Sequence, residues 1–218
     1  VIHRCITDVS VAAGYPGGMH KLLRGHATFR REYVARSKDF LAELASSHQS
    51  PDALFVGCAD SRVIPELLTS SAPGELFVVR NVANLVPRAE RADASVGAAL
   101  EYAVQALHVG HIVVCGHYQC GGVKAMIDGV DGERMPELAA WIAEAAVTNS
   151  AARGAPSAEQ WDRAVEENVL DQLANLSTHP CVRERLEAGT LQLHGWVYDL
   201  RGGLRVYDDE QARFLVPE

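Results

Sequence analysis

The 218-residue chain is 48% hydrophobic and 22% charged, with a formal net charge of −8. A chain this long buries about 70% of the surface its unfolded form exposes, so neither a disulfide-dependent scaffold nor extensive disorder is expected. The acidic balance argues against nucleic acid as a partner, and no apolar run approaches the ~20 residues that span a membrane.

Five cysteines is an odd count, and nothing after Val1-Ile2-His3-Arg4-Cys5 reads as the apolar core of a secretory leader. A reduced, cytoplasmic chain is expected, its thiols serving as ligands or packing residues rather than bridges. No repeat, low-complexity tract or long proline-rich linker divides the sequence. One domain over 1–218 is expected, with an N-terminal helical arm over 1–47 and an α/β core over 48–218.

In chain order, His20 to Ser47 has helical spacing, with Leu22, Leu23, Phe29, Tyr33, Phe40, Leu41 and Leu44 as the apolar stripe. The basic residues between them, Arg24, Arg30, Arg31, Arg36 and Lys38, read as a solvated side that wraps a partner subunit. Ala53–Cys58, after Ser50-Pro51-Asp52, is a short apolar run that predicts a strand buried on both faces. Leu76–Val79, after Pro73-Gly74, predicts a second such strand, and Ser95–Leu107 a helix. His111–Gly116 is the third buried strand. Helices follow over Met135–Asn149 and Trp161–Ser177, broken near Gly154-Ala155-Pro156. Leu191–Tyr198 is a fourth strand, and Gly202-Gly203 turns the chain into Leu204–Tyr207. Alternating strands and helices imply parallel pairing through crossovers. The expected fold class is α/β, a mostly parallel central sheet with flanking helices and a hairpin-like C-terminal edge.

Ligands of open parallel sheets bind beyond the carboxyl ends of the strands. The first strand ends in Cys58-Ala59-Asp60-Ser61-Arg62, and the third in Gly116-His117-Tyr118-Gln119-Cys120-Gly121-Gly122. If those two strand ends adjoin, the two thiols and one imidazole make a Cys₂His set, which in catalytic zinc sites leaves a fourth position open. Either motif alone is more often packing. The carboxylate and guanidinium beside the first thiol favour chemistry, because a structural turn needs neither. Gly121-Gly122 leaves room for backbone to approach a small substrate, with amides available to an anion.

Cys-x-Asp-Ser-Arg followed by His-x-x-Cys-Gly-Gly, with Arg80-Asn81-Val82-Ala83-Asn84-Leu85-Val86-Pro87 between them, resembles the β-class carbonic anhydrases. The likeness continues through Gly97–Val104 and His194-Gly195-Trp196-Val197-Tyr198-Asp199, covering about Gly25 to Tyr207. The resemblance implies one Zn²⁺ per chain held by Cys58, His117 and Cys120, with Asp60 and Arg62 as a catalytic dyad. Two thiolates and a neutral imidazole leave such a site formally neutral, and zinc lowers the pKa of bound water from 15.7 towards ~7. An ionised Asp60 only accepts hydrogen bonds, so it would orient a zinc-bound hydroxide for attack on carbon dioxide. Arg62 would hold Asp60 ionised, and bicarbonate would be the product.

The resemblance also separates two types. In plant-like members a glutamine nine residues before the first zinc cysteine serves a neighbouring subunit's substrate pocket with a phenylalanine, a valine and a tyrosine. Gln49, Phe77, Val82 and Tyr102 occupy the matching positions, and Gly121 is expected to border the substrate. The regulated bacterial type has a tryptophan three residues before that cysteine, which forms a non-catalytic bicarbonate site with an arginine and a late tyrosine. Arg80 and Tyr198 are present, but Phe55 lacks the indole N–H donor. The unregulated type is expected, as a homodimer or higher oligomer. Alternatives on the same ligand set are a carbon disulfide or carbonyl sulfide hydrolase, and a structural or sensing zinc protein. Cys115, Cys181, Trp141 and Trp161 read as packing residues, Cys5 as incidental, and His194 as a satisfied core residue.

Overall fold

Each short apolar run becomes a strand in the computed structural model, which describes residues 17–91, 93–145 and 157–217. Cys5, the end of the expected helix over 146–149 and the break at Gly154-Ala155-Pro156 lie outside the described residues. The chain divides between His48 and Gln49 into two units.

The first unit holds α1 (Gly17–Phe29), a π-helical turn (Arg30–Val34) and α2 (Lys38–Ser46). The single helix expected from His20 to Ser47 is thus interrupted. Ser37 leaves helical geometry at φ −115° and ψ 27°, and Arg36 donates its Nε to the Glu32 carbonyl in the widened turn before it. None of the side chains described in this unit is buried, and Leu22 and Phe29 of the apolar stripe are exposed.

The second unit is built on β1 (Ala53–Cys58), β2 (Leu76–Asn81), β3 (His111–His117), β4 (Gln192–Tyr198), β5 (Leu204–Asp208) and β6 (Arg213–Leu215). They form one sheet in the order β2-β1-β3-β4-β5-β6. The first four strands are parallel, while β5 and β6 return antiparallel and make the expected C-terminal edge. The helices are α3 (Pro65–Thr69), α4 (Ala94–Glu101), α5 (Gly121–Asp128), α6 (Pro136–Ala145), α7 (Ala158–Leu176) and α8 (Pro180–Glu187). Asp93 caps α4 by accepting from the Ser95 and Val96 amides at 3.0 and 3.1 Å, a contribution of about 1 kcal/mol. Ser157 and Gln160 form a reciprocal capping box that starts α7.

All six residues of β1 are buried, as a central parallel strand requires. β2 is only partly buried, because it lies at the sheet edge and not inside it as its apolar run suggested. Side-chain alternation divides the core. Leu54, Val56 and Cys58 share one cluster with Ile112 and Val114, while Phe55, Val113 and Cys115 share the other. α7 presses on the first face. A methyl on Gly116 would lie 2.8 Å from Val169, so the missing side chain is what permits that approach.

Candidate metal centre and active site

The chain runs from β1 to β2 on one side and then to β3 on the other, so a topological switch point opens at the C-terminal ends of β1 and β3. Cys58 ends β1 and His117 ends β3. The turn after His117, with Gln119 in the left-handed region at φ 58°, delivers Cys120 to the start of α5. All three side chains are buried, and their ligand atoms lie within 4.8 Å of one another. Among the described residues, no other group of three or more metal-binding side chains comes together.

The donor atoms suit a tetrahedral metal. The two sulfurs are 3.8 Å apart, the separation that two Zn–S bonds of about 2.3 Å make at a tetrahedral angle. His117 Nδ1 donates to the Tyr118 carbonyl at 3.0 Å, which fixes the tautomer and leaves the Nε2 lone pair free. That Nε2 is buried without a hydrogen-bond partner. An orphaned acceptor between two thiols costs stability unless a cation completes it.

Backbone donors surround the sulfurs. The Asp60 amide donates to Cys58 Sγ at 3.4 Å, and the Ala83 amide is directed at the same atom. The Gly122 and Val123 amides face Cys120. Cys58 is held well below the usual thiol range, first by the hydrogen bond from Cys120 and then by His117 and these amides, against its own burial. Cys120, as the donor of that pair, is pushed upward. The lowering at Cys58 favours the thiolate, the form a metal binds.

Asp60 stands at the rim. Arg62 grips it through Nε to Oδ1 at 2.9 Å and Nη2 to Oδ2 at 2.7 Å, with the Arg62 amide also donating to Oδ1 at 2.9 Å. These bonds, led by the Arg62 side chain, hold the carboxyl far below the ordinary carboxylate range. Asp60 Oδ2 lies 3.8 Å from His117 Nε2, so the carboxylate faces the metal-binding atoms while remaining with Arg62.

Phe77 and Tyr102 come together with ring centroids 5.8 Å apart. Val82 and Tyr102 are partly exposed, and Gln49 is exposed ahead of β1. Of the two glycines, Gly122 is the crowded one: a methyl there would meet Ala83 Cβ at 2.8 Å and Ala83 N at 3.0 Å, while Gly121 faces open space. Phe55 is wholly buried, edge-on to Trp196 at 6.2 Å. Arg80 spends its guanidinium on backbone, donating to the Cys58 carbonyl at 3.1 Å and the Asp60 carbonyl at 2.7 Å.

Several supporting residues had no sequence signal. Trp141 and Trp161 do more than pack: their indole N–H groups donate to the Val82 and Cys120 carbonyls at 2.9 and 3.1 Å. Asn81 closes the loop after β2 by bonding both the amide and the carbonyl of Leu85. Only their helical or strand placement was legible. His194, expected to be a satisfied core residue, is half-buried and pairs with His111 at 3.1 Å.

A parallel sheet with a Cys₂His set at its switch point defines an α/β protein built to hold one metal ion. The family model for carbonic anhydrase matches residues 53–204. A carbonic anhydrase of Pseudomonas aeruginosa is 46% identical over 202 residues, covering 90% of this chain and 91% of that protein. Carbonic anhydrase 1 of Escherichia coli O157:H7 is 41% identical over 202 residues, covering 91% and 92%. Among solved structures, the β-carbonic anhydrase CcaA superposes with a TM-score of 0.87 at 36% identity, covering 93% of each chain. The chain belongs to the β-class carbonic anhydrases, zinc enzymes of reversible carbon dioxide hydration.

Proposed function

We propose that the chain hydrates carbon dioxide with Cys58, His117 and Cys120 holding one zinc ion and Asp60 and Arg62 as the catalytic dyad. The observation that carries this reading is the placement of Asp60, ionised and clamped by Arg62, with Oδ2 3.8 Å from the orphaned His117 Nε2. When bound, zinc supplies Lewis-acid chemistry that lowers the pKa of a water from 15.7 towards about 7. The Asp60 carboxylate can only accept, so it would accept a hydrogen bond from the nucleophile and orient it towards the carbon of the substrate. Arg62 fixes the carboxylate by a two-point contact, and Arg80 fixes the turn that carries it. The product is bicarbonate and a proton.

Phe77, Val82 and Tyr102, with Gln49 from a neighbouring copy and Gly121 at the start of α5, form the substrate pocket in this reading. The Phe77–Tyr102 contact and the exposed apolar surface of Val82 and Tyr102 support it. Phe55 in place of an indole donor, and Arg80 committed to backbone, support the unregulated type. A homo-oligomer follows from the shared pocket. The uncovered apolar side chains of the first unit favour it, as does the likeness to a solved tetrameric β-carbonic anhydrase of Sordaria macrospora at 29% identity. The 1–47 arm and the 48–218 core act as one functional domain in that assembly. No described helix is long and apolar enough to cross a membrane, and the buried free thiols suit a reducing, cytoplasmic setting.

Stopped-flow hydration of carbon dioxide tests the dyad. Asp60→Asn should keep one zinc per chain and lower kcat by about 100- to 10,000-fold. Equal activity of variant and wild type would refute the role of Asp60, and zinc-independent hydration would refute the ligand assignment.

A further inference from the structure

The Cys₂His set lies at the C-terminal end of β3, and another pair of metal-binding side chains lies at the opposite end. His111 opens β3, and His194 lies on β4. In the parallel register of the two strands, Val113 stands beside His194. Side chains alternate along a strand, so His111 shares a face with Val113 and therefore with His194. His111 Nδ1 and His194 Nε2 approach to 3.1 Å, with ring centroids 5.2 Å apart. Both strands are interior to the sheet. The Gln192 amide donates to the Gly110 carbonyl at 3.0 Å and ties their first residues together. The two rings are therefore carried on one fixed framework.

Without an ion, one ring donates to the other. The same separation suits an ion shared between them. Two metal–nitrogen bonds of about 2.0–2.1 Å, opened to about 100–110°, set their nitrogens about 3.1–3.4 Å apart. Moving the donor ring's proton to its other nitrogen leaves a lone pair on each of the facing atoms. Protons compete weakly for the pair, because burial first, and then the charge of His111, lower the His194 pKa. The register of β4 with β5, Trp196 against Val206, carries the end of β5 towards the level of His194. Asp209, just beyond that end, acts on the His194 ring with a negative charge that favours a cation there. His111 is exposed and His194 half-buried, so a hydrated ion has access to the rings.

We propose that His111 and His194 chelate a divalent transition-metal ion of the zinc, nickel and copper group, at a second site that shares no residue with Cys58, His117 and Cys120. Imidazole suits these ions, whereas magnesium and calcium take oxygen ligands. Six steps along β3 separate His111 from His117, about 20 Å of strand. Two neutral rings hold an ion more weakly than a set containing two thiolates, so this site fills second and empties first under a chelator.

Calorimetric titration of the zinc-loaded protein with nickel(II) chloride tests it. Wild type should bind one nickel per chain and keep its zinc, as elemental analysis would show. His111→Gln and His194→Gln each leave a single ring and should weaken nickel binding by about 100-fold. His48→Gln, which removes an exposed histidine of the first unit, should bind as wild type does. Location is read separately by NMR of the histidine rings. Paramagnetic nickel(II) at a fraction of an equivalent should broaden the His111 and His194 signals before those of any other histidine. Zinc-loaded wild type that binds no nickel overturns the proposal, as does an equal loss in His48→Gln. One zinc released for each nickel bound also overturns it, because the ion then enters the Cys58 centre instead. If His194→Gln does not fold, His111→Gln decides: His111 is exposed, and unchanged binding in that variant refutes the site.

Discussion

Cys58 and Cys115 sit on neighbouring parallel strands, with Cys115 in register with the residue just before Cys58. One step along a strand turns a side chain to the opposite face. Cys58 therefore joins Leu54 and Val56 on the face that meets the switch point, while Cys115 joins Phe55 and Val113 on the other. On the first face the thiol meets Cys120, His117 and two backbone amides, and its pKa falls. On the second it meets apolar side chains, and burial pushes it up to about 12. Two buried thiols of similar sequence context thus differ because donors reach only one of them.

The histidines at the two ends of β3 repeat the lesson. His111 at the start pairs with His194 of β4 at 3.1 Å, each ring serving the other. His117 at the end keeps Nε2 without a partner in a buried site. The imidazole left incomplete by its own protein is available to a metal as it stands.

Breaking that contrast should cost most at the ligands. Cys58→Ser should lose bound zinc and more than about 100-fold of hydration activity, beyond the usual cost of an outer-shell partner. Cys115→Ala should retain both, as elemental analysis and stopped-flow assays would show. A zinc-loaded Cys58→Ser enzyme, or a metal-free Cys115→Ala, would erase the distinction between the faces. Next in size is the packing that lets α7 lie on the Cys58 face. Gly116→Ala should destabilise by about 1–3 kcal/mol in urea unfolding, because the new methyl meets Val169 at 2.8 Å.

The smallest effect belongs to the paired histidines. Burial first, and then the charge of His111, lower the His194 pKa below its unfolded value. Between the two values the unfolded chain binds more protons, so stability falls as pH drops below the ordinary histidine value of about 6.5. His194→Gln should flatten that slope by less than the Gly116 effect. A slope unchanged in the variant would assign the acid sensitivity elsewhere.

Much of this was legible in the sequence. Ala53–Cys58 reads as a central strand because six consecutive residues are apolar or small. Asp60 with Arg62, and His117 with Cys120, read as sites because their partners lie within one turn of chain. The break at Ser37 was not legible, since Phe29, Tyr33, Phe40, Leu41 and Leu44 keep near-helical spacing in the sequence across it. Nor were the indoles of Trp141 and Trp161, whose acceptors lie 59 and 41 residues away. The choice of Gly122 over Gly121 as the crowded glycine depended on Ala83, brought in from another loop.

By itself the sequence determined the strands, the donor types and the short spacings within each motif, because local sterics and hydrophobic period act over a few residues. Only the tertiary structure decided that β3 lies beside β1 and not beside β2, which brings Cys58 within 3.8 Å of Cys120. The same fold placed α7 so that its side-chain amides, Asn168 and Gln172 among them, reach the Ala83 loop. Such contacts join residues up to 89 positions apart, and pairing over that distance is set by the packing of whole elements, not by any local pattern.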